Sequence, residues 1–217
     1  MQFLTETVGP RWADELAIVA APGPSLTVEV ADRCRGRRII AVQDAYRLLP
    51  FADVLYGCDA RWWDVHHGCP TFPGERWTCH GDATHNDKRA TSIRHGLRVV
   101  QGKSADGFSL DPECIHYGSN SGFQGINLAI LFGATRIVLV GFDMRMRGGK
   151  RHFFGDHPAG LHNISDYQQF VPIFERAARS MPKHIDIVNA TPGTALRCFT
   201  MESLEHALPA ETGHRAA

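Results

Sequence analysis

The sequence predicts an α/β fold in which a mostly parallel sheet carries helices on both faces. Short β-branched, mostly apolar runs alternate with longer amphipathic segments, which is typical of parallel strands buried between helices. The length of 217 residues is sufficient for one such domain with a substantial core. We therefore predict a single domain over residues 1–208. Residues 209–217 have no periodicity and are predicted to form a mobile tail.

Six short apolar segments are predicted to be strands, because a strand buried on both faces contains few polar residues. They are Leu16–Ala20, Arg38–Val42, Val54–Tyr56, Leu97–Gln101, Ile137–Val140 and Ile185–Val188. Apolar residues at helical spacing predict helices at Leu26–Cys34, Arg61–His67, Gly122–Phe132 and Ser165–Met181. The last helix has the clearest start, since Ser165 and Gln168 form a capping box.

Two segments fit neither pattern and are longer than ordinary connections between strands and helices. Gly68–Thr91 is predicted to be a long connection, and Met144–Asn163 a mobile lid, because it contains several glycines and follows a strand. Long connections of this kind in compact domains are usually functional or disordered.

Composition excludes several classes of protein. The chain has 23 Lys and Arg against 23 Asp and Glu, so it has no overall field to attract nucleic acid or an anionic membrane. No apolar run approaches the ~20 residues of a membrane span, and the N-terminus has no signal-peptide pattern. The six cysteines form no C-x-x-C pair, which suits reduced thiols. We expect a cytoplasmic protein.

Ligands of open parallel sheets bind beyond the carboxyl ends of the strands, where this chain places polar residues. Gly23, Pro24 and Ser25 follow the first strand, and their N–H groups and hydroxyl are expected to contact phosphate unless they form a plain turn. Asp44 and Asp59 follow the next two strands. Each is expected either to bind a ribose or base or to cap the following helix.

A second polar run precedes the third predicted helix. It consists of Ser119, Asn120, Ser121 and Gly122. Small and hydroxyl-bearing residues at a helix N-terminus are typical of a phosphate-binding site, and the alternative for one of them, Ser121, is an ordinary helix cap. The run is longer than one cap requires. We therefore predict a second nucleotide contact here.

The loop after the fifth predicted strand contains histidines that are candidates for a general base, a metal ligand or a plain surface role. These are His152, His157 and His162. A basic cluster precedes them, which either binds a diphosphate or an anionic acceptor or is a solvated charge run. Its members are Arg145, Arg147, Lys150 and Arg151.

Residues 66–85 also contain potential zinc ligands, namely His66, His67, Cys69, Cys79, His80 and His85. Their spacing fits no common structural zinc site, so no zinc is expected. The tryptophans at 62, 63 and 77 are candidates to stack on a base or sugar, but tryptophans are more often core residues.

Three motifs resemble a known domain. They are "GPSL" after the first strand, "S-G-x-x-x-x-x-L-A-I-x-x-G-A-x-x-I-x-L-V-G-x-D", and "N-A-T-P-G-T-A-L". Together they resemble the Rossmann-like domain of bacterial CMP-sialic-acid-dependent sialyltransferases, of MptE-like pterin pyrophosphokinases and of uncharacterised prophage proteins. The resemblance implies that residues 23–25 and 119–122 contact nucleotide and that Asp143 is the acidic residue ending its strand. It also implies a histidine base on a mobile loop.

The residues and the resemblance together predict a nucleotide-dependent transferase, in the first place a phage-type glycosyltransferase using a nucleotide-activated sugar. His157 is preferred to His152 as the base, because "GDHPAG" places it beside Asp156 and between glycines. The expected acceptor is a glycan or a modified DNA base. One alternative is a pterin-type pyrophosphokinase in which Asp44, Asp59 or Asp143 holds magnesium. The other is a non-catalytic nucleotide-binding module.

Overall fold

The computed structural model describes residues 5–81, 86–161 and 165–208. Within these ranges the strands are β1 (Leu16–Ala20), β2 (Arg38–Val42), β3 (Val54–Tyr56), β4 (Glu75–His80), β5 (Arg98–Lys103), β6 (Cys114–His116), β7 (Arg136–Val140), β8 (Asp186–Asn189) and β9 (Thr200–Met201). They form one sheet of order β6-β5-β4-β3-β2-β1-β7-β8-β9. All of their pairings are parallel.

The helices of the described ranges are α1 (Val28–Arg33), α2 (Ala60–Val65), α3 (Asn86–His95), α4 (Ser121–Leu131), α5 (Tyr167–Arg179) and α6 (Leu204–Ala207), with a 3-10 helix at Gln43–Arg47. Alternate residues of β1 point to opposite faces of the sheet. Ala17 and Val19 pack in the core that includes residues of α4 and α5. Ile18 and Ala20 pack in the core that includes residues of α1, α2 and α6. The predicted parallel sheet with helices on both faces is therefore confirmed.

The six predicted strands are all present, three of them with the predicted bounds. The prediction that Gly68–Thr91 is only a connection was wrong, because β4 and the start of α3 lie within it. β4 escaped detection because its sequence, "ERWTCH", begins and ends with polar residues. Two further strands were not predicted: β6, "CIH", ends with the polar His116, and β9 has only two residues.

The start of α5 also needs a correction. The residue that caps this helix is Asp166, whose side chain accepts a hydrogen bond from the N–H of Gln169. The predicted capping box of Ser165 and Gln168 was therefore misplaced by one residue. The predicted tail at 209–217, His85 and His162 lie outside the described residues.

Candidate functional site

A cavity of about 320 Å³ lies at the carboxyl edge of the sheet, beyond the ends of β1, β2, β3 and β7. Its polar lining residues are Gln43, Cys58, Asp59, Ser119, Asn120, Ser121, Asp143, Arg151, His152, His157, Ser165 and Tyr167. The start of α4 forms one part of the wall, and the described part of the long loop, residues 144–161, forms another. This is the edge at which the sequence predicts ligand binding.

The backbone around this cavity is strained. Gln43, Ser119 and Met144 line it and have positive φ angles of 46°, 60° and 48°. Only six non-glycine residues of the described ranges have positive φ, and half of them lie here. Each such residue costs about 1–3 kcal/mol, and strained residues cluster at functional sites. The strain therefore points to this cavity as the candidate active site.

The turn after β1 is joined to the end of β7. The N–H and Oγ of Ser25 both bond to Oδ2 of the buried Asp143, at 3.1 and 2.7 Å. The N–H of Gly23 bonds to the carbonyl of Gly141, and Pro24 has no N–H. The expectation that this turn has donors available for phosphate is therefore corrected. Gly23 and Asp143 do line the cavity.

The start of α4 retains donors that a ligand can reach. Asn120 caps the helix by accepting a hydrogen bond from the N–H of Phe123. Ser121 accepts a hydrogen bond from the N–H of Cys58 and donates its hydroxyl to the Cys58 sulfur. The N–H groups of Ser121 and Gly122 lie in the first turn, where no intrahelical acceptor exists, and both residues border the cavity. This is the stronger of the two predicted phosphate contacts.

Asp44 lies in the 3-10 helix after β2, and its side chain is only 1% exposed. It is neither the predicted ribose contact nor a helix cap. Its Oδ2 accepts a hydrogen bond from Nε1 of Trp62 at 2.7 Å and lies 3.6 Å from Nδ1 of His157. The carboxylate therefore lies behind the cavity wall, next to the histidine that the sequence favours as a base.

Asp59 has the capping role that the sequence allows and also lies where a ligand can reach it. It is exposed at the rim of the cavity, and its side chain caps α2 by accepting a hydrogen bond from the N–H of Arg61. A helix-capping carboxylate can still accept a second hydrogen bond, because it has two oxygens. Contact between Asp59 and a ligand stays a prediction.

His157 and His152 lie side by side, with ring centroids 4.8 Å apart. Burial lowers the pKa of His157, although Asp44 opposes this shift. Burial and the neighbouring His157 lower the pKa of His152 to about 4. Both rings are therefore neutral at pH 7 and able to accept a proton.

The carboxylate that the sequence predicts beside His157 is not the one that lies next to its ring. Its chain neighbour Asp156 is 68% exposed and lies 3.7 Å from Arg151. Asp44, which is distant in sequence, is the carboxylate that lies beside Nδ1 of His157. Burial outweighs the nearby carboxylates, so the pKa of His157 is lowered.

The three predicted arginines lie in different surroundings. Arg151 lines the cavity. Arg145 and Arg147 are exposed and are not among the lining residues, and Arg147 forms a tight turn with Lys150. A basic group for a phosphate is therefore available from Arg151, whereas the other two arginines belong to a solvated charge run.

The potential zinc ligands of residues 66–80 are dispersed. Cys79 and Cys69 are buried in the cores on opposite faces of the sheet. His80 bonds to the Ser92 hydroxyl, and His66 packs against Trp62. Among the residues that the structure describes, no group of three or more His, Cys, Asp or Glu side chains is placed to hold a metal ion.

The tryptophans at 62, 63 and 77 are core residues, each at most 1% exposed. Trp62 also lines the cavity, so stacking on a base or sugar stays a prediction, but sequence reasoning missed its hydrogen bond to Asp44. It also missed His66 beside the same carboxylate. The sequence did contain a signal for this contact. Asp44 follows β2 and α2 follows β3, and these two neighbouring strands bring the residues that follow them close together.

No helix within the described ranges is long and apolar enough to cross a membrane. No protein-family model and no curated protein matches the sequence. Among solved structures, the fold is similar to that of the MAf glycosyltransferase from Magnetospirillum magneticum AMB-1, with a TM-score of 0.61 and 17% sequence identity. The similarity covers 89% of this chain and 34% of that enzyme, so this chain spans about a third of its length. The chain therefore has the Rossmann-like fold of a region of a glycosyltransferase.

Proposed function

We propose that the protein is a glycosyltransferase that uses a nucleotide-activated sugar bound in the carboxyl-edge cavity. One observation carries the proposal: a buried imidazole, His157, lines the same cavity as the first turn of α4 and Arg151. A neutral imidazole is a general base, and helix N–H groups and arginine are ligands for phosphate. The shared fold with a glycosyltransferase supports the same class of reaction.

The chemistry is a displacement at the anomeric carbon of the donor sugar. The acceptor oxygen forms a bond to this carbon while the bond from the carbon to the phosphate oxygen breaks. His157 takes the proton of the acceptor hydroxyl. The N–H groups of Ser121 and Gly122 and the side chain of Arg151 stabilise the negative charge that develops on the leaving phosphate.

Some of the remaining predicted residues also have a place in this scheme. Gly23, Asp59, Ser119 and Asn120 border the cavity and are proposed to contact the nucleotide. His152 is the alternative base beside His157. We propose a glycan or a modified DNA base as the acceptor.

The geometry gives the pyrophosphokinase less support. Magnesium needs several oxygen ligands that converge on one point. Asp44 lies behind the wall against Trp62, Asp143 is bonded to Ser25, and Asp59 caps α2. The three carboxylates that the sequence suggests for magnesium are thus engaged with different partners.

A donor panel tests the proposal. Purified protein is incubated with CMP-, UDP-, GDP- and ADP-linked sugars, with and without magnesium, and release of nucleoside mono- or diphosphate is measured. Release from one donor class supports a glycosyltransferase. Magnesium-dependent formation of AMP from ATP with a hydroxymethylpterin supports the pyrophosphokinase. Binding of a nucleotide without turnover of any donor or of ATP supports the non-catalytic module.

The placement of the nucleotide has its own test. Replacing Ser121 with Leu puts a bulky side chain at the start of α4 and should abolish binding of every nucleotide that the wild type binds. Ser203→Leu, at the start of α6, is the matched control because Ser203 does not line the cavity. Unchanged affinity in Ser121→Leu contradicts the proposed placement.

A further inference from the structure

Among the described residues, four nitrogen-bearing side chains surround Asp44, and one of them makes a close hydrogen bond to it. Trp62 donates to Oδ2 at 2.7 Å, and His157 Nδ1 lies 3.6 Å from the same oxygen. On the other side, Arg47 Nη1 and His66 Nε2 lie 3.6 and 3.7 Å from Oδ1. One carboxylate therefore lies between two imidazoles.

Two of these atoms lack a hydrogen-bond partner although they are buried. They are Oδ1 of Asp44 and Nε2 of His66. Buried polar atoms normally have partners, and exceptions in a native protein often mark a functional group. A ring movement of less than 1 Å would bring either histidine within hydrogen-bond distance of the carboxylate. A small movement of one of these rings would therefore give the Asp44 carboxylate a second hydrogen bond.

We infer that Asp44 is the positioning residue of His157, and that His66 and Arg47 hold its second oxygen. The inference rests on the proposed role of His157 as a general base. After a ring movement of less than 1 Å, Asp44 accepts a hydrogen bond from Nδ1–H of His157, which leaves Nε2 as the proton acceptor. The carboxylate thereby fixes both the tautomer and the orientation of the ring.

The proton balance of the step follows from this arrangement. The acceptor hydroxyl loses its proton to Nε2 as its oxygen bonds to the sugar. His157 then carries N–H groups on both nitrogens and one positive charge, which the Asp44 carboxylate stabilises without taking the proton. The imidazolium releases the Nε2 proton to water after the products leave. His66 prevents the carboxylate from turning away from His157.

The direct test is a titration of His157 by NMR between pH 4 and pH 8, in the absence of any donor. The His157 resonance is assigned from the spectrum of His157→Gln. Asp44→Asn removes the charge but keeps an oxygen that can accept from Trp62. The other titratable and charged groups near the imidazole remain, namely His66, His152, Arg47, Arg151, Asp59 and Asp156.

In Asp44→Asn the pKa of His157 should fall below its wild-type value, because the carboxylate no longer stabilises the charged form. In His66→Gln the pKa of His157 should rise, because Asp44 then interacts with one imidazole instead of two. Asp156→Asn is the matched control, since Asp156 is adjacent in sequence but exposed. It should shift the pKa less than Asp44→Asn does. An equal or larger shift in the control overturns the inference.

Activity supplies a second readout with the donor identified in the panel. Asp44→Asn should lower kcat by about 100- to 10,000-fold with little change in donor KM, and its activity should extend to lower pH. An equal melting temperature of variant and wild type shows that the fold is kept. If His157→Gln retains turnover, the proposed base is wrong. If His157→Gln loses turnover while Asp44→Asn keeps both kcat and the His157 pKa, only the positioning role is wrong.

Discussion

The two edges of the sheet differ in how their charged residues are paired and buried. At the amino edge, where the parallel strands begin, charges form ion pairs in partial contact with solvent. The pairs are Arg38 with Glu15 and Asp53, Arg98 with Glu6 and Glu75, and Arg136 with Asp186 and Glu202. These pairs join neighbouring strands, since β4 lies beside β5 and β7 beside β8.

At the carboxyl edge some polar groups are buried, and two of them are incompletely paired. Asp44 and His66 keep atoms without hydrogen bonds, and non-glycine residues with positive φ line the cavity. Burial lowers the pKa of His66, His152 and His157. These features all destabilise the fold.

The difference indicates where the sequence is constrained by folding and where by function. Solvent-exposed ion pairs contribute little stability each, so the amino edge tolerates change. Buried groups with shifted pKa values are more typical of active sites. Substitutions at the carboxyl edge should therefore change activity, whereas matched substitutions at the amino edge should not.

The largest expected effect is on turnover in His157→Gln. Removing a general base should lower turnover by about 100- to 10,000-fold while donor affinity stays nearly the same. His184→Gln is the control, because His184 is exposed just before β8 at the amino edge. Steady-state kinetics of both variants with the donor from the panel measure the contrast. Equal turnover of His157→Gln and wild type would show that His157 is not the base and would leave His152 as the alternative.

A backbone substitution should produce the next largest effect. Gly141 has a φ of +71°, and a Cβ there would overlap the carbonyl oxygen of Ala21. Gly141→Ala should lower the free energy of unfolding by about 3 kcal/mol or more, because strain and overlap add. Gly148→Ala has a similar φ, +55°, but nothing within 4 Å of the added Cβ. It should lose only about 1 kcal/mol.

Urea unfolding of the two glycine variants measures this difference. Equal losses would show that the junction of β1 and β7 is not as tightly packed as the structure indicates. Loss of donor binding in Gly141→Ala alone would locate this junction in the nucleotide site.

The third effect is the pH dependence of stability. The folded-state pKa of His152 is about 4, below the usual value of 6.5, so the unfolded state binds a proton that the folded state does not. The free energy of unfolding should therefore be highest above pH 6.5 and fall as the pH decreases towards 4. His152→Gln should make this decrease smaller. His184→Gln should leave it as in the wild type.

Unfolding in urea at pH 7.5 and pH 5 measures the decrease for each protein. His80 has the same folded-state pKa of about 4, also because of burial, so His80→Gln should act in the same direction. A decrease that neither substitution changes would mean that other groups control acid stability.

Much of the sheet was predictable because its central strands are continuous apolar runs. β1, β2 and β3 have the predicted bounds. β4 was missed because Glu75 and Arg76 at its start are polar, and these residues belong to the amino edge, where Glu75 pairs with Arg11 and Arg98. A strand that begins with polar residues is therefore missed when strands are predicted from continuous apolar runs.

The site was predictable only in its location. The rule that ligands bind at the carboxyl edge correctly brought together residues that follow different strands. It did not reveal partners, because Asp44 and His157 are separated by many residues and meet only through the path of the long loop, while His66 reaches the same carboxylate from the end of α2. Asp156, the neighbour of His157 in the sequence, was the wrong choice for the carboxylate beside the imidazole, since it faces solvent.

The smallest expected effect is at the amino edge. Arg136→Gln removes two ion pairs, with Asp186 and Glu202, whose side chains remain partly exposed. Water and salt screen such charges, so the loss of stability should be about 1 kcal/mol or less and should shrink in high salt. Turnover should be unchanged, because the cavity lies at the other end of β7. Urea unfolding at low and high salt, together with the donor assay, measures both quantities. A loss of turnover in this variant would show that the two edges are coupled through β7, and the separation of folding from function between them would then be wrong.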